Sequence, residues 1–170
     1  MRRSEKFDIE SLIRDDYKIF VDTCSFMHPK AEYYFFKILA PLLIQYNSKI
    51  IIPKRVAEEV IKHQNSTIEK TKILANAAYK ISKEYQSHGI LEILGEENDP
   101  FADCVFLYVF LRYITKYNLA LITQDVNLAL DILSLSDLKS VNQKKLIAAV
   151  KLHKYRDGEI IPWSLNKSHE

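Results

Sequence analysis

The chain has 170 residues, 48% of them apolar, with only three glycines and five prolines; this fits one globular domain spanning 1–170 and excludes fibrous or low-complexity architectures. No run approaches the ~18 uninterrupted apolar residues of a membrane span. Met1-Arg2-Arg3-Ser4-Glu5-Lys6 leads into polar sequence, not the apolar core of a secretion signal, so a cytoplasmic protein with no membrane partner is expected. A net charge of +2, from 24 basic and 22 acidic residues, does not by itself announce a nucleic-acid partner. Cys24 and Cys104 lie in apolar surroundings and belong to no Cys-x-x-Cys or Cys/His set, which excludes a zinc motif and predicts two buried thiols.

In chain order, Lys18-Ile19-Phe20-Val21-Asp22 is the first predicted strand, a run of bulky apolar residues ending on a polar one. A helix from near Pro29 to Asn47 follows, with Tyr33, Phe36, Leu39, Ala40, Leu43 and Ile44 on one face. Lys49-Ile50-Ile51-Ile52-Pro53 reads as a second buried strand, and a helix begins near Lys54. The next helix runs from about Ser66 to Ser87, its apolar positions being Ile68, Ile73, Leu74, Ala77, Ala78 and Ile81, and His88-Gly89 stops it. A short strand, Ile90 to Leu94, leads to a polar loop from Gly95 to Pro100. Phe101 to Tyr117 is apolar on more than one face and predicts a deeply buried helix. Leu119 to Thr123 is a strand and Asn127 to Leu135 a helix. Leu146 to Val150 fits helix or strand, whereas Asp157-Gly158 before Glu159-Ile160-Ile161-Pro162-Trp163 favours a turn into a terminal strand, hence a late hairpin at the sheet edge within 139–165. Alternating strands and helices require crossovers, so the expected fold class is a three-layer α/β/α sandwich around a mainly parallel sheet.

In such sheets ligands bind beyond the carboxyl ends of the strands. Asp22 ends the first strand and Asp125 lies two residues past Thr123 at the end of another, so both point to that rim. Glu59 stands about a turn and a half into the helix after the second strand, and Asp103 in the first turn of the Phe101 to Tyr117 helix. Four converging anions repel one another by about 4 kcal/mol per pair at 4 Å and an effective dielectric near 20, so protons or a cation must neutralise them. Oxygen donors without His or Cys suit Mg²⁺ or Mn²⁺, ions that share their remaining positions with substrate phosphate. Such a centre suits phosphodiester hydrolysis.

Four segments carry these acids: Val21-Asp22-Thr23-Cys24-Ser25-Phe26, Ile52-Pro53-Lys54-Arg55-Val56-Ala57-Glu58-Glu59-Val60, Ala102-Asp103-Cys104-Val105-Phe106-Leu107, and Leu121-Ile122-Thr123-Gln124-Asp125. In order, spacing and setting they resemble the successive acidic motifs of PIN domains, a family that includes VapC-type toxins and nucleases of rRNA processing and mRNA decay. The resemblance covers about 17–135. It implies a divalent-metal-dependent endoribonuclease acting on RNA, with Asp22, Glu59, Asp103 and Asp125 as metal-holding catalytic residues and Thr23 and Thr123 supporting them. It further implies an antitoxin protein and a homodimer as partners. Glu58 competes with Glu59, but the family pattern puts the acid just before an apolar residue, here Val60. Cys24 departs from the pattern, standing where the family has Ser or Asn; a thiol is a poorer hydrogen-bond partner, and Ser25 is placed to compensate.

Each acid also has a plainer reading. Asp22 and Asp125 suit a strand end and a helix cap, Asp99 suits a cap, and Glu59 has Lys62 and His63 at pairing distance along its helix. Asp103, set among Phe101, Ala102, Cys104, Val105 and Phe106, needs a partner to offset its desolvation. Lys54, Arg55 and Lys62 are the expected RNA contacts, with a second basic stretch at Lys144-Lys145, Lys151, His153, Lys154 and Arg156 around Tyr155. The five histidines are scattered and form no ligand set; Trp163 reads as packing. The alternative function is a catalytically degenerate PIN-fold RNA-binding or scaffold protein. A HAD-type phosphatase would need an aspartate where Cys24 stands, and no Gly-x-Gly-x-x-Gly supports a dehydrogenase.

Overall fold

The strands form where the sequence strings apolar residues together. In the computed structural model, which describes residues 8–95, 102–138 and 145–165 and only the backbone of 102–104, they make one six-stranded sheet. Its members are β1 (Lys18–Val21), β2 (Ile50–Pro53), β3 (Leu91–Leu94), β4 (Leu119–Ile122), β5 (Ile147–Leu152) and β6 (Ile160–Pro162). Their order across the sheet is β3-β2-β1-β4-β5-β6, all pairs parallel except the antiparallel β5–β6 hairpin. Helices flank the sheet in a three-layer α/β/α arrangement. Ile19, Phe20 and Val21 in β1 and all four residues of β4 are buried, as central strands covered on both faces require. The ambiguous run from Leu146 to Val150 is strand from Ile147 on, within β5, and the terminal strand closes the sheet edge as expected.

The helices are α1 (Ile9–Arg14), α2 (Thr23–Phe26), α3 (Ala31–Tyr33), α4 (Ala40–Gln45), α5 (Lys54–Gln64), α6 (Glu69–Ser87), α7 (Ala102–Tyr113) and α8 (Val126–Ser134). Helix α1 is an addition to the expected elements. Its signal was present: Asp8 caps it, accepting from the Ser11 N–H at 2.8 Å, and Ile9, Leu12 and Ile13 form a buried i, i+3, i+4 stripe.

Three helix faces differ from the periodic expectation. Between α3 and α4 the chain winds as a π-helix, Tyr34–Leu39, ahead of Pro41, which lacks an N–H and whose ring would meet the Lys37 carbonyl in a regular α-helix. The wider turn shifts the phase, so Tyr34, Phe35, Leu39 and Leu43 are buried while Tyr33 and Ile44 are exposed. Helix α6 buries Ala75, Ala78, Ile81 and Tyr85, and leaves Ile68, which precedes it, and Ile73 exposed; the helix packs against α5 and, to a lesser extent, α2. Helix α7 is one-sided, not deeply buried all round: Phe106, Val109 and Phe110 face the core, and Tyr108 and Leu111 face solvent.

The topology defines one special place. From β1 the chain moves outward through β2 to β3, then returns to lay β4 on the other side of β1 and continues to β5. The β1/β4 boundary is therefore the switch point, where the connections diverge and leave a crevice at the carboxyl ends.

Candidate functional site

Asp22 and Thr123 follow the last residues of β1 and β4, so register alone brings them together: Val21 pairs with Ile122, and the Asp22 N–H donates to the Ile122 carbonyl at 3.2 Å. Asp22 is buried and caps α2, its Oδ1 accepting the Ser25 N–H at 3.0 Å. Its Oδ2 accepts from the Thr123 hydroxyl and from the Cys24 thiol, the latter at 2.9 Å. Ser25 locks the turn, its hydroxyl donating to the Ile122 carbonyl at 2.9 Å. Burial pushes the Asp22 carboxyl above its ordinary pKa, and the hydrogen bonds from Cys24, Thr123 and Ser25 only partly oppose it.

Thr123 has a second role. While its hydroxyl proton serves Asp22, its oxygen accepts the Asp125 N–H at 3.0 Å. The Asp125 side chain caps α8, Oδ1 accepting from the Asn127 and Leu128 N–H groups at 2.8 and 3.1 Å, so the plainer reading of this residue also holds.

On the other side of Asp22, the Thr23 hydroxyl donates to Glu59 Oε2, tying α5 to the start of α2. Glu59, not Glu58, is therefore the acid of that pair joined to the β1 end. The expected pairing of Glu59 with Lys62 and His63 is replaced by Arg55, whose Nε lies 3.8 Å from Glu59 Oε1 while its Nη1 lies 3.6 Å from Glu58 Oε2. Arg55, expected to touch RNA, thus stands between two acids of its own helix. Lys54 and Lys62 sit on that same helix, Lys62 exposed.

Asp22, Glu59 and Asp125 are linked in this way through two threonines. The backbone of Asp103 lies in the first turn of α7; its side chain, like that of Cys104 and like Asp99 and Lys144, lies outside the described residues. Among the described residues no three acidic, histidine or cysteine side chains are gathered closely enough to hold an ion as placed. The chemistry of the set nevertheless suits a hard cation. An ionised carboxylate offers about four lone-pair directions, of which Asp22 uses three. The Ser25 side chain adds to these bonds, so Asp22 is a nearly saturated buried acid whose pKa is raised by desolvation, with no positive charge among the described residues lowering it.

Cys24 corrects the expectation of a buried thiol in apolar surroundings. The residue is exposed but its sulfur is turned inward, toward the Asp22 carboxylate, with the Gln124 N–H donating to it at 3.3 Å and the Thr123 hydroxyl 3.8 Å away. Desolvation and the adjacent carboxylate push the thiol pKa up to about 12, so Cys24 acts as a neutral hydrogen-bond donor and not as a nucleophile.

Trp163 is more than packing: its indole N–H donates to the Thr123 carbonyl at 3.0 Å, fixing the β4 end from the hairpin side. Nothing local in the sequence announces this, because the bond joins residues 40 apart and depends on β6 pairing with β5.

No protein-family model and no curated protein matches the chain. Among solved structures it is similar to a domain of a functionally unknown protein from Methanocaldococcus jannaschii, at 20% identity and a TM-score of 0.48, covering 88% of this chain and 99% of that one.

Proposed function

We propose that the chain is a divalent-metal-dependent endoribonuclease of the PIN kind, hydrolysing RNA phosphodiester bonds at the crevice beyond β1 and β4. The observation that carries this reading is the pair of threonine hydroxyls at the switch point of the sheet: that of Thr123 joins Asp22 to the Asp125 backbone, and that of Thr23, next to Asp22 in the chain, holds Glu59. Linking acids that far apart in the chain places anionic charge where a parallel sheet binds its ligands.

Asp22 and Glu59, with Asp103 and Asp125, would hold Mg²⁺ or Mn²⁺, directly or through water. A divalent ion held by these residues would supply Lewis-acid stabilisation of the charge that develops in phosphodiester hydrolysis. The chain's own residues supply position. Thr123 and Ser25 hold Asp22 in one orientation, and Thr23 keeps Glu59 turned toward the β1 end. Arg55 steadies Glu59 from the opposite side.

One observation favours a second reading, a PIN-fold RNA-binding or scaffold protein with a degenerate site: the Cys24 thiol occupies part of the Asp22 carboxylate. A cleavage assay separates the two. Purified protein incubated with RNA should yield discrete new ends in Mn²⁺ or Mg²⁺ and none after chelation. RNA left intact in both metals defeats the nuclease reading. A toxin role, with an antitoxin covering the crevice, and a homodimer belong to this proposal and are tested by co-purification and by sedimentation.

A further inference from the structure

Beside the acidic crevice lies a groove of about 660 Å³ between the segment after α2 and the β5–β6 hairpin. No acidic residue lines it among the described residues. Its walls carry Lys151 and Lys154, each with its ammonium over an aromatic ring: Lys151 lies 4.0 Å from the centroid of Trp163, and Lys154 5.2 Å from that of Tyr155. Tyr155 is 76% exposed, a large ring that packs against nothing extensive.

Two histidines complete the lining with a fixed polarity. The His28 Nδ1 accepts the Lys30 N–H at 3.1 Å, and the His153 Nδ1 accepts the Tyr155 and Arg156 N–H groups at 3.0 and 3.1 Å. With Nδ1 accepting in both rings, the ring proton sits on Nε2, making each a donor toward the groove. The groove thus offers cations, N–H donors and aromatic faces, a set that matches phosphate oxygens and unstacked bases.

The groove is also built and anchored. Asp157 at the hairpin tip pairs with Lys30, and Gly158, at φ +76°, packs so tightly that a Cβ there would lie 2.9 Å from Ile38 Cγ1. It is continuous with the crevice: Gln124, which lines it, sits between Thr123 and Asp125 and reaches Ser25 Oγ at 3.4 Å, and the Trp163 indole holds the Thr123 carbonyl.

We infer that this groove is a binding subsite for single-stranded RNA, taking the strand that runs on from the acidic crevice with its phosphates against Lys151 and Lys154 and a base on Tyr155. The inference rests on the ribonuclease reading for the identity of the strand, but its geometry is separate from the acids. Single strands are favoured over duplex because stacking requires a free base face.

Trp163 is the chain's one tryptophan, so its fluorescence reports directly on the groove. Full-length protein in EDTA, where metal-dependent cutting is stopped, is titrated with a single-stranded oligoribonucleotide of about ten nucleotides and with the same strand annealed to its complement. The single strand should quench Trp163 saturably and bind more tightly than the duplex. Tyr155→Ala should weaken binding about fivefold or more, as loss of one stacked base implies. The double variant Lys151→Ala/Lys154→Ala should weaken it about tenfold and flatten its salt dependence. No quenching, equal binding of duplex, or unchanged affinity in both variants overturns the subsite. Because Tyr155 is so exposed, its variant should keep the parent's thermal midpoint. Saturable quenching by a protein that cuts no RNA would defeat the nuclease reading alone; full cutting with unchanged affinity in the groove variants would defeat the subsite alone.

Discussion

The Thr123 hydroxyl donates to the Asp22 carboxylate while accepting the Asp125 N–H, so one small side chain at the end of β4 orders the acids on both sides of the switch point. Removing the hydroxyl at constant shape should leave a buried carboxylate oxygen and an N–H without this partner, at about 1–3 kcal/mol each. Thr123→Val is therefore expected to lower unfolding free energy by about 2–6 kcal/mol in urea, with the slope against denaturant unchanged. Thr123→Ser should recover most of the loss. A valine variant as stable as the parent would mean that the hydroxyl orders nothing.

Asp22 gives a pH signature. Burial raises its folded pKa above the ordinary 3.8, so the native state holds that proton more tightly than the unfolded chain. Its contribution to stability is full below about 3.8 and is lost as pH rises through the folded value. In metal-free buffer Asp22→Asn should thus gain on the parent as pH rises from acid to neutral, read as the difference between their thermal midpoints. Mn²⁺ should reverse the order at neutral pH, stabilising the parent by about 2.7 kcal/mol at a hundredfold excess over Kd and leaving the variant unmoved. A difference independent of both pH and Mn²⁺ would contradict the electrostatic account of this residue.

Tyr34 makes an opposite kind of prediction. It lies fully buried in the π-helical stretch, and its hydroxyl has no hydrogen-bond partner among the described residues. Tyr34→Phe deletes only that group and should stabilise the fold by about 1 kcal/mol, measured by chemical denaturation. A loss of stability would point to a partner for the hydroxyl.

Gly158 ties the hairpin to the helix beneath it. A side chain there would combine an unfavourable positive φ with contacts of 2.9 and 3.0 Å to Ile38, so Gly158→Ala should cost about 1–3 kcal/mol. The same substitution should loosen the groove, seen as faster hydrogen exchange in β6. Unchanged exchange there would show that the tip does not hold the hairpin.

The sheet was legible because its strands are uninterrupted apolar runs such as Ile19-Phe20-Val21 and Leu119 to Ile122, whose burial on both faces leaves few alternatives. Asp22 and Asp125 were legible for the same reason, since a residue at the end of a parallel strand has its address fixed by topology. Helix phase was less so. A period of 3.6 misassigns Tyr33, Tyr34 and Ile44 once Pro41 is accommodated by a π turn, and small alanines in α6 outweigh larger isoleucines because close helix packing rewards shape. An interaction that joins distant segments, such as Trp163 to Thr123, has no local sequence signal at all. The polar setting of Cys24 was partly written in its neighbours Asp22, Thr23 and Ser25, but its contacts with Thr123 and Gln124, which follow β4, depend on the β1–β4 pairing.

The most direct measurement is the single-turnover rate of RNA cleavage in Mn²⁺ by the parent and by Asp22→Asn, with each first verified as folded by its cooperative thermal transition. The parent should cut, and the variant should be slower by about a hundredfold or more, because its amide neither carries the charge nor holds the ion. Equal rates would place any nuclease chemistry elsewhere on the molecule and remove Asp22 from its centre.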